Sequence, residues 1–363
     1  MRSMPILSFS FLFLLNSLTI HTQEAEDYTK KIEMIWGWEE ETKSINKKEI
    51  NIENPVPVFL SQFQPQKQEF PINPTMENII KGKAGTKITI PAHSIALPSE
   101  FRKGDILTIQ LIEIYNDLDF ITSGVSLFYF NPEPNIFESG GMFKLTATYY
   151  DKPLQLKRGA RLKVEIPSHI KTDKKMNMYR LDERNGWIDK GSVSVEKSSE
   201  KIENPASEGP DKKKDGSSES GVEYIPSYIF RAMDEFKWWN ADYPNPNRTC
   251  IEGTIQTFEA NPPYSITSLG IDFKNATTRY ADGKKFQLNV IKAKNVKLIA
   301  VDERGNIGLI SEINTGNLNA FIKEGSKEKC TNVGTIEIKK VDREILKDRG
   351  KLLNHLGLKD IVK

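Results

Sequence analysis

Apolar and polar residues alternate with period two along much of the chain. Thr86-Lys87-Ile88-Thr89-Ile90 alternates and stops at Pro91, and residues 105–114 form a longer, mostly apolar run behind the turn Lys103-Gly104. Residues 142–149 alternate behind Gly140-Gly141, and Arg161-Leu162-Lys163-Val164-Glu165-Ile166-Pro167 reads as a half-buried strand. Residues 178–181 and 186–188 read as a hairpin around Asp182-Glu183-Arg184-Asn185. Period two places successive side chains on opposite faces of a sheet. Strands at this spacing, punctuated by Gly and Pro turns, predict a β-sandwich over residues 76–195.

A second series follows. Tyr228-Ile229-Phe230 and Trp238-Trp239 precede Asp242-Tyr243-Pro244-Asn245-Pro246, which reads as a turn. Strand-like runs then recur at 251–255, 268–273, 286–290, 296–301 and 334–338, with Asp302-Glu303-Arg304-Gly305-Asn306 closing a hairpin. A second small sandwich over 222–340 is the expectation. Val341, Ile345, Leu352 and Leu356 fall near one helical face, which predicts a docked helix within 341–363. Residues 196–221 hold only Ile202 and Ala206 as apolar side chains, too few to offset ordering, and read as a flexible linker. The fold class is therefore all-β: two β-sandwich domains joined by a flexible linker, with a short C-terminal helix.

The N-terminus departs from this pattern. Arg2 precedes the apolar stretch Ile6-Leu7-Ser8-Phe9-Ser10-Phe11-Leu12-Phe13-Leu14-Leu15, short for a membrane span and apt for a signal peptide over 1–23. An uncleaved anchor is the alternative; no A-x-A site is present, and no cysteine follows that would take a lipid. Residues 24–75 read as an extended lead-in broken by Pro55, Pro57, Pro65, Pro71 and Pro74, with a short helix around Ile32, Ile35, Trp36 and Glu39. Export would place the chain in the periplasm, at the outer membrane or on the cell surface, with no transmembrane span after cleavage.

Composition narrows the chemistry. Lys plus Arg number 51 and Asp plus Glu 49, a net charge of +2, which argues against a nucleic-acid partner. Two cysteines and four histidines, with no HExxH, provide no recognisable metal or cofactor set, and none is expected. Cys250 and Cys330 flank the second sandwich. In an exported chain such a pair predicts a disulfide, whose loop of roughly 80 residues would restrict the unfolded chain by about 4–5 kcal/mol; two buried thiols are the alternative.

Candidate chemistry is sparse. His93 beside Ser94 pairs a base with a nucleophile, but strand neighbours point to opposite faces. Asp117, Asp119, Glu133 and Glu138 are carboxylates at loop-like positions, and no spacing selects a pair of the kind glycosidases use. Asp302-Glu303 before Gly305-Asn306 lacks the ligand ladder of a calcium loop. Trp238 and Trp239 are the candidate ligand-binding residues, because only one of two successive strand aromatics faces a single core. Asn247 and Asn275 lie in glycosylation sequons.

Gly85-Thr86-Lys87-Ile88-Thr89-Ile90-Pro91-Ala92-His93-Ser94-Ile95, then Gly104-Asp105-Ile106 and Leu111-Ile112-Glu113, resembles the opening of ZU5-like β-sandwiches. Bacterial envelope proteins with this opening carry a Leu-Ser and Glu-Ser-Gly-Gly-Met pattern, similar to Ser126-Leu127 and Glu138-Ser139-Gly140-Gly141-Met142 here. They also carry a strand pair with a central tryptophan, matched by Trp187, and an aromatic segment matched by Trp238-Trp239-Asn240-Ala241-Asp242. Their C-terminal part is similar to a carboxypeptidase-regulatory or transthyretin-like sandwich, whose Asp-Gly-x-Phe turn resembles Asp282-Gly283 with Phe286. The resemblance implies a non-enzymatic exported envelope protein that serves as a binding or structural module for a protein or glycan partner. The alternatives are a surface adhesin or carbohydrate binder using exposed aromatics, and a hydrolase whose site converges from separate loops.

Overall fold

The computed structural model describes residues 58–130, 134–168, 175–182, 186–201, 224–258, 264–281, 283–318 and 330–360. The expected signal peptide, the short helix at Trp36, Trp38 itself, Glu133, Asp282 and the core of the proposed linker lie outside them. The protein is all-β, with short helices at α1 (Val58–Ser61), α2 (Asp117–Ser123) and, near the C-terminus, α3 (Arg349–Leu356). No helix among the described residues is long and apolar enough to cross a membrane.

The first body stacks two sheets. One runs β1 (Gln68–Ile72), β4 (Leu107–Ile114), β6 (Pro134–Tyr149), β13 (Trp238–Asn245), β9 (Asn177–Asp182), β10 (Gly186–Ser192), with β5 (Phe128–Phe130) and β7 (Lys152–Pro153) pairing onto β6. The other runs β11 (Ser194–Lys201), β12 (Tyr224–Met233), β8 (Leu162–Pro167), β3 (Lys87–Ile90), β2 (Asn78–Lys81). Ile88, Val164 and Ile166 of the second sheet pack against Ile109, Leu145 and Trp239 of the first. Pro71 donates no amide to a ladder, and it sits on β1, an edge strand.

The turn between β2 and β3 is held from within. The Glu113 carboxylate accepts the amides of Ala84 and Thr86, each at 2.9 Å, and Gln68 Nε2 at 2.8 Å. A Cβ on Gly82 would lie 2.3 Å from that carboxylate, so a side chain there would displace it from these hydrogen bonds.

The second body pairs a three-stranded sheet, β17 (Lys285–Ile291), β14 (Arg248–Gln256), β20 (Thr331–Glu337), with a four-stranded one, β16 (Ala276–Tyr280), β15 (Tyr264–Gly270), β18 (Asn295–Asp302), β19 (Ile307–Asn314). Ile251, Leu288 and Ile336 face Ile266 and Leu298 in its core. Reciprocal hydrogen bonds of 2.9 and 3.0 Å between Ile307 and Lys339 join the two sheets beyond β20.

Two boundaries differ from expectation. The residues expected to open the second sandwich belong to the first: β12 pairs with β8 and β11, and β13 with β6 and β9. The first body therefore takes two strands from beyond the hydrophilic stretch. That stretch leaves β11 and returns on β12, whose ends Lys201 and Tyr224 are partnered with each other. It departs from and rejoins one sheet, so it is not the connection between the sandwiches. The actual connection is Pro246-Asn247, where the amide of Asn247 donates 2.9 Å to Asn245 Oδ1.

Candidate functional site

Glu138-Ser139-Gly140-Gly141-Met142 and Trp238-Trp239-Asn240-Ala241-Asp242 lie side by side. β6 and β13 pair with Ala241 opposite Gly141 and Asp242 opposite Ser139, leaving Gly140 as the extra residue of a bulge. Gly140-Gly141 is therefore not a turn before a strand. A Cβ on Gly140 would meet the Tyr228 ring at 2.6 Å and one on Gly141 the Tyr115 ring at 2.4 Å, so both glycines admit aromatic rings against the backbone.

A buried polar cluster grows from this bulge. Ser139 Oγ donates 2.8 Å to Asn240 Oδ1, and Asn240 Nδ2 donates to Asp242 Oδ2. All three residues are buried, and Asp242 Oδ1 has no hydrogen-bond partner. Burial holds the Asp242 carboxyl well above the usual carboxylate range, with Ser139 opposing the shift, so its neutral form is favoured. Asn245 Nδ2 donates 2.5 Å to Glu138 at the same end of β13.

Outside this cluster lies the apolar layer that joins the two bodies. Ile114, Met142, Tyr179, Trp187 and Trp238 of the first body share one core with Leu269, Ile299, Val301 and Ile307 of the second. The chain's end supplies Val341, Leu346, Leu352, Leu353 and Leu356 to the same core. Polar contacts close its rim. Lys274 Nζ lies 2.5 Å from Asp117, Asn275 Nδ2 donates 2.9 Å to the Phe137 carbonyl, and Arg349 lies 2.8 Å from Asp119. Burial raises the Asp119 carboxyl and the Arg349 pair opposes it. Lys297 Nζ caps α3 at the carbonyls of Leu356 and Gly357, 2.9 and 2.8 Å away.

The tryptophans expected to bind a ligand sit inside. Trp239 is 0% exposed in the first body's core and donates 3.0 Å to the Glu235 carbonyl; Trp238 is 8% exposed in the shared core, under Lys144. They face opposite ways, as alternation requires, but this sheet has a core on each side. Neither indole offers a face to a glycan, which corrects their assignment as ligand-binding residues.

The other candidates are placed as follows. Ser94 Oγ donates 2.7 Å to the Pro91 carbonyl while His93 is exposed on a left-handed turn residue, so the two form no dyad. Asp117, Asp119 and Glu138 are engaged as described. Asp302 Oδ1 accepts the amides of Arg304 and Asn306 at 2.9 and 2.8 Å, stabilising the hairpin turn anticipated there. The Asn275 side chain is buried, which is incompatible with a glycan on it in this fold. Among the described residues, no three His, Cys, Asp or Glu side chains gather as a metal site.

Cys250 and Cys330 are bridged, their Cα atoms 4.6 Å apart. Adjacent parallel strands β14 and β20 make this possible, with Ile251 opposite Thr331 one residue beyond each cysteine.

No family model and no curated protein matches the chain. Among solved structures, a gamma-CGTase from alkalophilic Bacillus clarkii is similar at 9% identity and a TM-score of 0.16, covering 76% of this chain and 42% of that one. The chain thus spans less than half of that enzyme's length, and a likeness of this size bears on neither activity nor ligand.

Proposed function

We propose that this is an exported, non-enzymatic protein of the bacterial envelope, in which two β-sandwiches act as a single binding or structural module. The observation that carries the reading is the shared apolar core, which joins both bodies and the C-terminal segment. A module built this way holds loops at the two ends at a fixed separation, which suits spacing or presentation. The bridge between Cys250 and Cys330 supports export, since such bonds persist in oxidising compartments. The apolar stretch behind Arg2 supports it independently.

Protease treatment of intact and lysed cells, combined with thiol trapping, tests this. The reading expects the chain outside the cytoplasm with Cys250 and Cys330 resistant to alkylation until reduced. A cytoplasmic chain with freely alkylated cysteines would refute it.

A further inference from the structure

Strand β6 begins at the second body, where Ile136 enters that body's core, and runs for 16 residues to end at Tyr149. At roughly 3.3 Å per residue it extends on the order of 50 Å, so its end defines a pole of the first body remote from the junction. The register places the turns β1–β2 and β6–β7 and the connections β3–β4 and β7–β8 at this pole. Ile72 pairs with Leu107, Thr108 with Thr148, and Asn78 with Ile90.

Large apolar side chains are exposed here on separate segments. Met76 is 56% exposed, Ile79 58%, Ile106 59% and Tyr150 80%. Tyr150 is the most telling. Tyr149 pairs with Lys152, leaving Tyr150 and Asp151 as a two-residue hairpin loop with φ of 46° and 62°. Two successive left-handed residues define a turn normally filled by Asn-Gly, and a bulky side chain in that region is strained. The strain projects an aromatic ring into solvent, braced edge-on against Tyr149 at 4.6 Å. Tyr149 is itself fixed by a 2.5 Å hydrogen bond to Asp105.

Charge around these residues is unequal. Lys103, Lys157, Arg158 and Arg161 are exposed, and none of them pairs with a carboxylate among the described residues. Of the acids at this pole, Glu100 is paired with Lys152, and Asp105, which accepts from the Tyr149 hydroxyl and the Arg102 amide, is offset by the Arg102 charge beside it. Glu77 and Asp151 remain, two acids against four cations.

We propose that this pole docks on an anionic lipid surface. Tyr150, Ile106 and Met76 would enter the headgroup layer while the four cations meet lipid phosphates. Tyrosine favours that boundary, and separated apolar tips ringed by lysine and arginine suit a surface that is apolar inside and negative outside. A protein partner would require about 800 Å² of complementary surface, whereas the exposed apolar side chains here are single tips on three segments, ringed by cations. The proposal sharpens the envelope reading by naming a partner. Its test is independent of the fractionation above, because vesicle binding is measured on purified protein.

Co-sedimentation with vesicles of phosphatidylglycerol mixed with phosphatidylcholine, against phosphatidylcholine alone, decides it. The full chain is compared with Tyr150→Asn, Ile106→Ser and the double reversal Lys103→Glu/Arg158→Glu. Asparagine tolerates the left-handed turn, so Tyr150→Asn is expected to preserve or raise the melting temperature while weakening vesicle binding about tenfold. The double reversal is expected to cost about fivefold per charge, on the anionic vesicles only. Failure to bind anionic vesicles overturns the proposal. So does binding that the variants leave unchanged, which would assign it to the apolar N-terminal stretch or another surface. Equal binding to neutral vesicles also overturns it.

Discussion

The two sheets of the first body are made of similar residues and meet different surroundings. Along β3 and β8 of one sheet, burial alternates residue by residue; Ile88, Val164 and Ile166 point inward while Lys87, Lys163 and Glu165 form an outward charged ladder with separations of 2.6 and 3.7 Å. In the sheet containing β13, five successive residues from Trp238 to Asp242 are all buried. β3 and β8 have one face on a core and one in water. β13 lies between two cores. Alternation therefore identifies a sheet's position only when one side is wet, and an unbroken buried strand marks a sheet between two layers.

The largest expected effects come from cutting side chains on the two faces of β13. Trp239→Ala is expected to destabilise by about 3–5 kcal/mol, and Trp238→Ala by a comparable amount, because both rings fill close-packed cores. If Trp238→Ala left the chemical denaturation midpoint unchanged, the second core would not exist.

Next in size is the disulfide. Replacing Cys250 and Cys330 by serine is expected to lower stability by about 2–4 kcal/mol, read as a drop in the thermal midpoint matched by reduction of the unaltered chain. A loss of roughly the same order is expected for Leu352→Ala, about 2–5 kcal/mol, because this leucine is fully buried in the junction. A surface-docked helix would lose far less.

Asp242 gives a smaller effect with a definite sign. Its folded pKa is raised by burial, so its contribution is favourable below the unfolded carboxylate pKa and is lost as pH rises through the folded value. Asp242→Asn is therefore expected to stabilise the protein near neutral pH, on the order of 1 kcal/mol, with the gain fading toward pH 4. A pH-independent difference in melting temperature would remove the buried acid from this account. The smallest effect belongs to the outward ladder of the other sheet: Lys163→Ala is expected to change stability by less than about 1 kcal/mol, less still in high salt.

The contrast also explains what was legible in the sequence. Strands with one wet face are legible close to their limits: β3 and β8 fall where alternation places them, while the expected β9–β10 hairpin forms with β10 running on to Ser192. Asp242-Tyr243-Pro244 was read as a turn because a buried aspartate beside a proline carries the chemistry of a loop, yet it continues β13. The junction had no local signature. Trp238 and Trp239 read as one core-facing and one exposed aromatic, and only pairing across about 100 positions, Trp239 opposite Phe143, brings β13 to the boundary. The expected helix over 341–356 shortens to α3, preceded by turns that carry Val341 and Leu346 into the shared core. The disulfide is legible because two cysteines flank an expected body, whereas the exposed Tyr150 lies one residue beyond an expected strand and carries no signal of its own.

Differential scanning calorimetry on the oxidised full chain tests most directly whether the sandwiches form one cooperative unit. The shared core predicts one unfolding transition for residues 58–360, with calorimetric and van't Hoff enthalpies in a ratio of about one. Two resolved transitions, one abolished by Trp239→Ala and the other by loss of the Cys250–Cys330 bridge, would contradict it.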